Sequence, residues 1–324
     1  FDPGYYLETY PEVKDLKINP FEHYKSKGKK ENKKPNPYIN ESQLVKILNA
    51  GLFDSDFYLN QYKDIGKAGI EPLYHYVTAG YKEHRNPAAS FDTFFYMNKH
   101  NVEQCPLLHY ADRPNVETLP DNAVILDQTY KGDLIFNKKV AIQAHVFYPD
   151  VAPQIKKYLN NIPFKFDLLV SVVNKADKFY LESFFYDCVN VENVYVEIVE
   201  NLGRDISPLI VTFKNAWFDY DYLCHIHTKR SPHTPWGELW RTHLFSKCLG
   251  SSDLIKNVID HFEKNQDTAI LYPENFYIIK RYINSDENID DLNNLLRVFG
   301  LEEEETFEGF DFAAGSMQQL STIQ

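Results

Sequence analysis

Apolar and polar positions follow two different rhythms along this chain. In residues 1–113 they gather into aromatic clusters: FDPGYYLETY at 1–10, FDSDFYLNQY at 53–62 and FDTFFYMNKH at 91–100, each opening on Phe-Asp. Each cluster leads to a Pro-x-x-His-Tyr element, PFEHY from Pro20, PLYHY from Pro72 and PLLHY from Pro106. In the first two copies Phe and Pro are 19 residues apart and Gly28 and Gly80 fall equally far past their prolines, while the third copy is shorter. Asp at an N-cap and Pro in a first turn predict two short helices per copy, the second ended by its Gly. One copy buries too little apolar surface to stand alone, so neighbouring copies are expected to stack. His23, His75 and His109 recur at one place in every copy, which reads as packing or capping rather than as metal ligation.

A polar connector over 114–137, with Pro114, Pro120 and Gly132, separates this module from a second rhythm over 138–324. Short β-branched or apolar runs appear there: KVAIQAHVFY (139–148), FDLLVSVV (166–173), VYVEIV (194–199), YDYLCHIH (220–227) and TAILYP (268–273). Helical spacings lie between them: Ile155, Tyr158, Leu159 and Ile162; Leu181, Phe184 and Phe185; Ile210, Phe213 and Trp217. Strands alternating with helices predict an α/β fold with a mainly parallel sheet and helices on both faces, preceded by a small all-α domain. Ligands of such sheets collect beyond the carboxyl ends of the strands. Two further helices are expected: one with Pro235 in its first turn and Trp236, Leu239, Trp240, His243 and Leu244 on a core-facing stripe, the other capped by Ser251 or Ser252. The acidic EEEE at 302–305 reads as a solvated loop.

The totals narrow the function. The 324 residues carry 34 Lys+Arg against 46 Asp+Glu, a net charge of −12 that argues against a nucleic-acid partner. Cys105, Cys188, Cys224 and Cys248 lack a paired spacing, which suggests neither a disulfide framework nor a cysteine-rich zinc site, and points to a reducing compartment. No apolar run approaches the ~20 residues that span a bilayer. A cytoplasmic location is expected. The Lys-rich KSKGKKENKK at 25–34 reads as a solvated turn, with peripheral contact to an anionic membrane as the second reading.

Candidate chemistry sits at the predicted strand ends. ENLGRDISP at 200–208 offers Asn201, Gly203 for a tight turn, Ser207 as an N-cap and Pro208 as a first helical residue, so Arg204 and Asp205 stand before a helix N-terminus that favours anions. The bland alternative is an Arg204–Asp205 surface pair. In CHIHTKRSPH at 224–233, strand alternation puts His225 and His227 on one face, with Lys229, Arg230 and His233 beyond. A phosphate cradle built from Arg204, Lys229 and the imidazoles is the favoured reading, with Arg241 of the Trp-rich helix a further contributor. Two histidines at this spacing also suit a metal, but a catalytic zinc needs a third ligand, which only convergence of His145 would supply. The remaining alternative packs His225 inward and leaves the cations in water.

Taken in order, HVFYPD, YLNNIPFKFDLLVSVV, ENLGRDISP, YDYLCHIHTKRSPH, the Trp-Arg helix with LGS, and FAAGSM resemble the rhamnan synthesis protein F family of bacterial glycosyltransferases over about residues 138–317. YPEV at 10–13 and HYKSKGKKE at 23–31 likewise resemble helical repeats found beside bacterial polysaccharide glycosyltransferases. The resemblance implies a GT-A-like fold and transfer of a sugar, often L-rhamnose from a dTDP-activated donor, to a growing cell-surface polysaccharide or lipid-linked glycan. It also implies that the fourth strand end carries Asp-x-Asp holding a divalent metal. Here that place reads His225-Ile226-His227, so a metal-independent enzyme with Arg204 and Lys229 balancing the diphosphate is the preferred expectation, and Mg or Mn the alternative. Asp205, His227 and Asp311 are the candidates for deprotonating the acceptor. Beyond Met317 the family continues with an apolar strand whereas this chain reads QQLSTIQ, which suggests a truncated or divergent tail. The competing functions are a metal-dependent hydrolase using His225 and His227, and a non-catalytic protein that self-associates through its repeats.

Overall fold

The computed structural model describes residues 1–34, 41–133, 136–231, 234–283, 289–301 and 312–322. They form two compact units, 1–125 and 126–324. The polar connector expected over 114–137 is therefore divided between the units. Its first part is tied to the third aromatic copy, since Asp92 N–H donates to Thr118 O at 2.8 Å and the Thr118 hydroxyl donates to Ser90 O at 2.8 Å.

In the first unit the aspartates of the three copies cap helices Pro3–Thr9, Ser55–Gln61 and Thr93–Lys99, each carboxylate accepting a backbone N–H three residues on. Pro20, Pro72 and Pro106 open helices Pro20–His23, Pro72–His75 and Pro106–Asp112. A tyrosine of the first helix meets the histidine of the second through its Nδ1: Tyr6 with His23 at 3.0 Å, Tyr58 with His75 at 2.8 Å, Tyr96 with His109 at 2.9 Å. The glycines act differently from the expected helix stop. Gly28 and Gly80 end short π turns, Tyr24–Gly28 and Tyr76–Gly80, without a left-handed φ. A Cβ there would lie 2.0 Å and 2.2 Å from the hydroxyls of Tyr6 and Tyr58. Glycine is thus required because the buried Tyr–His pair occupies the space a side chain would take. The offset of 52 residues extends to ion pairs, Glu12–Lys33 at 2.6 Å and Asp64–Arg85 at 2.8 Å.

The second unit is built on a six-stranded sheet of order β3-β2-β1-β4-β6-β5, with β1 Val140–His145, β2 Phe166–Val172, β3 Val191–Ile198, β4 Tyr222–His227, β5 Ile270–Leu271 and β6 Gln318–Ser321. The first four are parallel, and β6 runs antiparallel between β4 and β5. The QQLS segment, read from sequence as part of a truncated or divergent tail, is that sixth strand.

Alternation sorts the side chains to two faces. Ile142, Ala144, Val170, Cys224 and Ile226 share one core with helices Ala152–Leu159, Lys175–Phe185, Gly237–Leu249 and Ser252–Lys264. The other face carries Ala141, Leu169, Leu223 and Leu320 under Leu209 and Ala216 of the β3-to-β4 crossover. That crossover is not the single helix its spacing predicts. It consists of a π turn, Pro208–Thr212, and a short helix, Ala216–Asp219. The β-branched run Ile210-Val211-Thr212 disfavours continuation, and Ser207 is itself helical with no capping bond. The expected anion-attracting helix N-terminus after Asp205 is accordingly too short to supply a useful dipole. The Trp-rich helix begins at Gly237 rather than Pro235, and Ser251 caps the next through a bond from Leu254 N–H.

Candidate functional site

Strand order reverses between β1 and β4, because the chain leaves β1 for β2 and β3 on one side and returns to β4 on the other. The crevice outside the carboxyl ends of such a pair is where α/β sheets bind ligands. Here the two strands end side by side on His145 and His227, which are register partners. On the same face, one step earlier, Gln143 is the register partner of His225. Toward their carboxyl ends these strands exchange the apolar residues of that face for polar ones.

Asp205 closes this arrangement from the crossover. Gly203 (φ 69°) and Arg204 (φ 52°) both adopt left-handed backbone, turning the chain so that the Asp205 carboxylate faces the sheet. At Gly203 a Cβ would lie 2.5 Å from that of Ser207, so both space and φ demand glycine. Asp205 Oδ2 lies 3.5 Å from His225 Nε2 and 3.8 Å from His227 Nε2. A buried polar chain continues behind His225. Its Nδ1 lies 2.5 Å from Gln143 Oε1, Gln143 Nε2 donates to Ser171 Oγ at 3.2 Å, and Ser171 Oγ lies 2.9 Å from His145 Nδ1. Gln143, Ser171 and His225 are fully buried.

His225 bridges Gln143 and Asp205 through its two ring nitrogens. Burial pushes the Asp205 carboxyl up, but the hydrogen bond from His225 and the charge of the adjoining imidazoles outweigh it and hold it well below the usual carboxylate range. His227 behaves oppositely. Burial, only partly opposed by Asp205, pushes it down to about 4, so it is neutral at pH 7 and donates from Nε2 to Gly315 O at 2.7 Å. Burial lowers His145 as well, and its Nδ1 is paired with the Ser171 hydroxyl.

The Lys229 ammonium rests 3.8 Å from the centroid of the Trp240 ring. Its pKa is lowered, by burial first, with Asp205 opposing and the Arg204 charge adding to the shift. Arg204, Asp205 and Lys229 thus share one electrostatic neighbourhood. Arg241 braces the loop instead of facing outward, donating to Gln154 Oε1 at 2.8 Å and to Lys229 O at 3.0 Å. Arg230 turns to Asp150 and stacks over Tyr148 with 4.7 Å to the ring centroid, away from Asp205. Asn201 and Arg204 are exposed. His233 and Asp311 lie outside the described residues.

Sequence reasoning missed Gln143 and Ser171, the two residues that orient His225. Their signal was a lone polar residue inside each of two apolar runs, since a buried polar side chain implies a partner. Trp240, read mainly as core, carries the Lys229 ammonium, and its buried indole N–H has no partner among the described residues. Gly315 (φ 113°) belongs to the site through its carbonyl.

Among the described residues no three His, Cys, Asp or Glu side chains converge as metal ligands, and His227 Nε2 is engaged by Gly315 O.

Comparison with known families gives one result: the family model described as Rhamnan synthesis protein F matches residues 85–318, from just before the third aromatic copy to the first residue of β6. No curated protein and no solved structure gives a match. Among the described residues no helix is long and apolar enough to cross a membrane.

Proposed function

Because this chain belongs to the rhamnan synthesis protein F family, and so takes part in polysaccharide synthesis, we propose that it is a glycosyltransferase moving a sugar, L-rhamnose, from a dTDP-activated donor to a growing glycan acceptor. One observation supports the proposal: beside the switch point of the sheet, Asp205 lies 3.5 Å from His225, and Lys229 feels the charges of both Asp205 and Arg204.

The chemistry of glycosyl transfer matches that distribution of charge. As the bond between sugar and diphosphate breaks, negative charge grows on the leaving group, which Lys229, held over the Trp240 ring, and the exposed Arg204 would meet. Positive charge grows on the sugar ring, and Asp205, ionised at every physiological pH, lies on the opposite side of the charge balance. The acceptor hydroxyl gives up its proton in an inverting transfer. Asp205 is a weak base, so it takes that proton late, once bonding to the anomeric carbon has made the hydroxyl acidic. His227 holds the Gly315 segment through its own N–H, which keeps the 312–317 stretch against the end of β4. No step of this reading is routed through a metal.

The test is direct. Nucleoside diphosphates should raise the unfolding temperature without added metal, dTDP more than UDP or GDP. Lys229→Ala should abolish the shift, since the ammonium is the partly buried countercharge, whereas Asp205→Asn should keep the shift and lose transfer from dTDP-rhamnose by about two orders of magnitude or more. A shift that survives Lys229→Ala would remove the proposed diphosphate site.

A further inference from the structure

The first aromatic copy differs from the second in one respect that its shared hydrogen bonds do not explain. Residues 13–30 hold six lysines against Asp15 and Glu22, in a chain whose net charge is −12. The segment 52 positions later, 65–82, holds Lys67 and Lys82 against Glu71. Apolar exposure changes at the position of Phe21, while the counterparts of Leu16 and Ile18, Ala68 and Ile70, are exposed as well. Leu16, Ile18 and Phe21 are 50%, 47% and 44% exposed, and lead from the end of helix Glu12–Asp15 into helix Pro20–His23. The counterparts of Phe21 and Lys25 are Leu73 and Val77, which are 7% and 1% exposed. Lys25 reaches back over the Phe21 ring, its amine 5.3 Å from the centroid.

We propose that this end of the first copy, Leu16, Ile18 and Phe21 flanked by Lys14, Lys17 and Lys25, docks on the surface of an anionic lipid bilayer. Two occupants compete for an exposed apolar patch of this kind, a further protein layer and a membrane interface. The second copy shows what a protein layer requires: positions 73 and 77 are apolar and buried. With Lys25 standing where Val77 stands, a second chain stacked in the same way would bury an ammonium without a partner, which is costly. A bilayer surface meets both features. Apolar tips enter the boundary between headgroups and acyl chains, and the flexible amines reach the phosphates while their stems stay on the apolar side. The charge surplus is also needed for orientation. An acidic chain is repelled by an anionic surface as a whole, and a local cationic patch overcomes this only at short range, within a Debye length.

The test is co-sedimentation of the full chain with phosphatidylglycerol-containing vesicles and with phosphatidylcholine vesicles. The expected result is binding to the anionic vesicles, weakened by salt, and roughly tenfold or more poorer binding to the neutral ones. Lys14→Gln/Lys17→Gly/Lys25→Gln should lose roughly tenfold or more of it. Glycine keeps the left-handed backbone of Lys17 (φ 52°), as Gly69 does at the matching place (φ 65°). Leu16→Ser/Ile18→Ser should lose binding while leaving the circular dichroism melt unchanged. Equal binding to both vesicle types, binding that salt does not weaken, or binding unchanged in both variants would overturn the proposal. So would a dimer of the wild-type chain on size exclusion that Leu16→Ser/Ile18→Ser dissociates, since the occupant would then be a second copy.

Discussion

At the scale of single residues, the helical repeats rest on atoms that sit too close to be replaced. Gly80 faces the Tyr58 hydroxyl at a distance no methyl group can share, and that hydroxyl is bonded to His75 at 2.8 Å. Gly80→Ala should cost about 2 kcal/mol in urea unfolding, by overpacking and by loss of the buried bond. Adding Tyr58→Phe removes the obstructing oxygen, so the double variant should cost less than the sum of the singles. Gln143→Leu removes the buried partner of His225 Nδ1 and should cost about 1–3 kcal/mol in urea unfolding. An unchanged urea midpoint would show that this bond contributes nothing.

At the scale of elements, strand β6 and the 114–125 segment show how much depends on short pieces of chain. β6 supplies the antiparallel ladder on both of its sides, and Leu320 fills the small core under the crossover. Deleting residues 318–324 should expose the edge of β4 and release β5, so the shortened chain should aggregate at lower temperature than the full one. In the first unit, Asp92 and Ser90 bond to Thr118, and His100 Nε2 bonds to Glu117 O at 2.9 Å. A fragment ending at residue 125 should therefore unfold at a higher temperature than one ending at 113. Equal melting points would mean that these bonds contribute nothing to the unit.

At the scale of the whole molecule, acid should unfold the protein well before its carboxylates are protonated. His227 and His243 are both pushed down to about 4, in each case by burial first, and burial also lowers His145 and His75. A histidine kept neutral by the fold binds fewer protons folded than unfolded, so its contribution is intact above the free value of about 6.5. It drains as pH falls toward 4. His227 alone, with its side chain 10% exposed, accounts for roughly 3 kcal/mol as an upper figure. Asp205, held low, acts in the same direction but only below the ordinary carboxylate range. Urea midpoints measured from pH 7.5 to 4.5 should fall steadily below 6.5, and a flat profile would show that the histidines are not buried neutral.

The hydrophobic rhythm alone determined a helical first part, a mainly parallel α/β second part, the strands that carry His225 and His227, and the loop that carries Arg204 and Asp205. These are local properties: periodicity of 2 or 3.6, capping aspartates, prolines in first turns and glycines in turns act over a few residues and can be read there. What only the tertiary structure decided is which polar groups meet. Gln143, Ser171 and His225 come from three strands that are adjacent in space but far apart in the chain, and no spacing announces their bonds. Gly28 and Gly80 read as helix stops until Tyr6 and Tyr58 occupy the space beside them. The QQLS strand, too short and polar to be recognised alone, exists because β4 and β5 offer it two ladders. Backbone pairing and burial are non-local energies, and they set the partners of His225 and keep His227 neutral at pH 7.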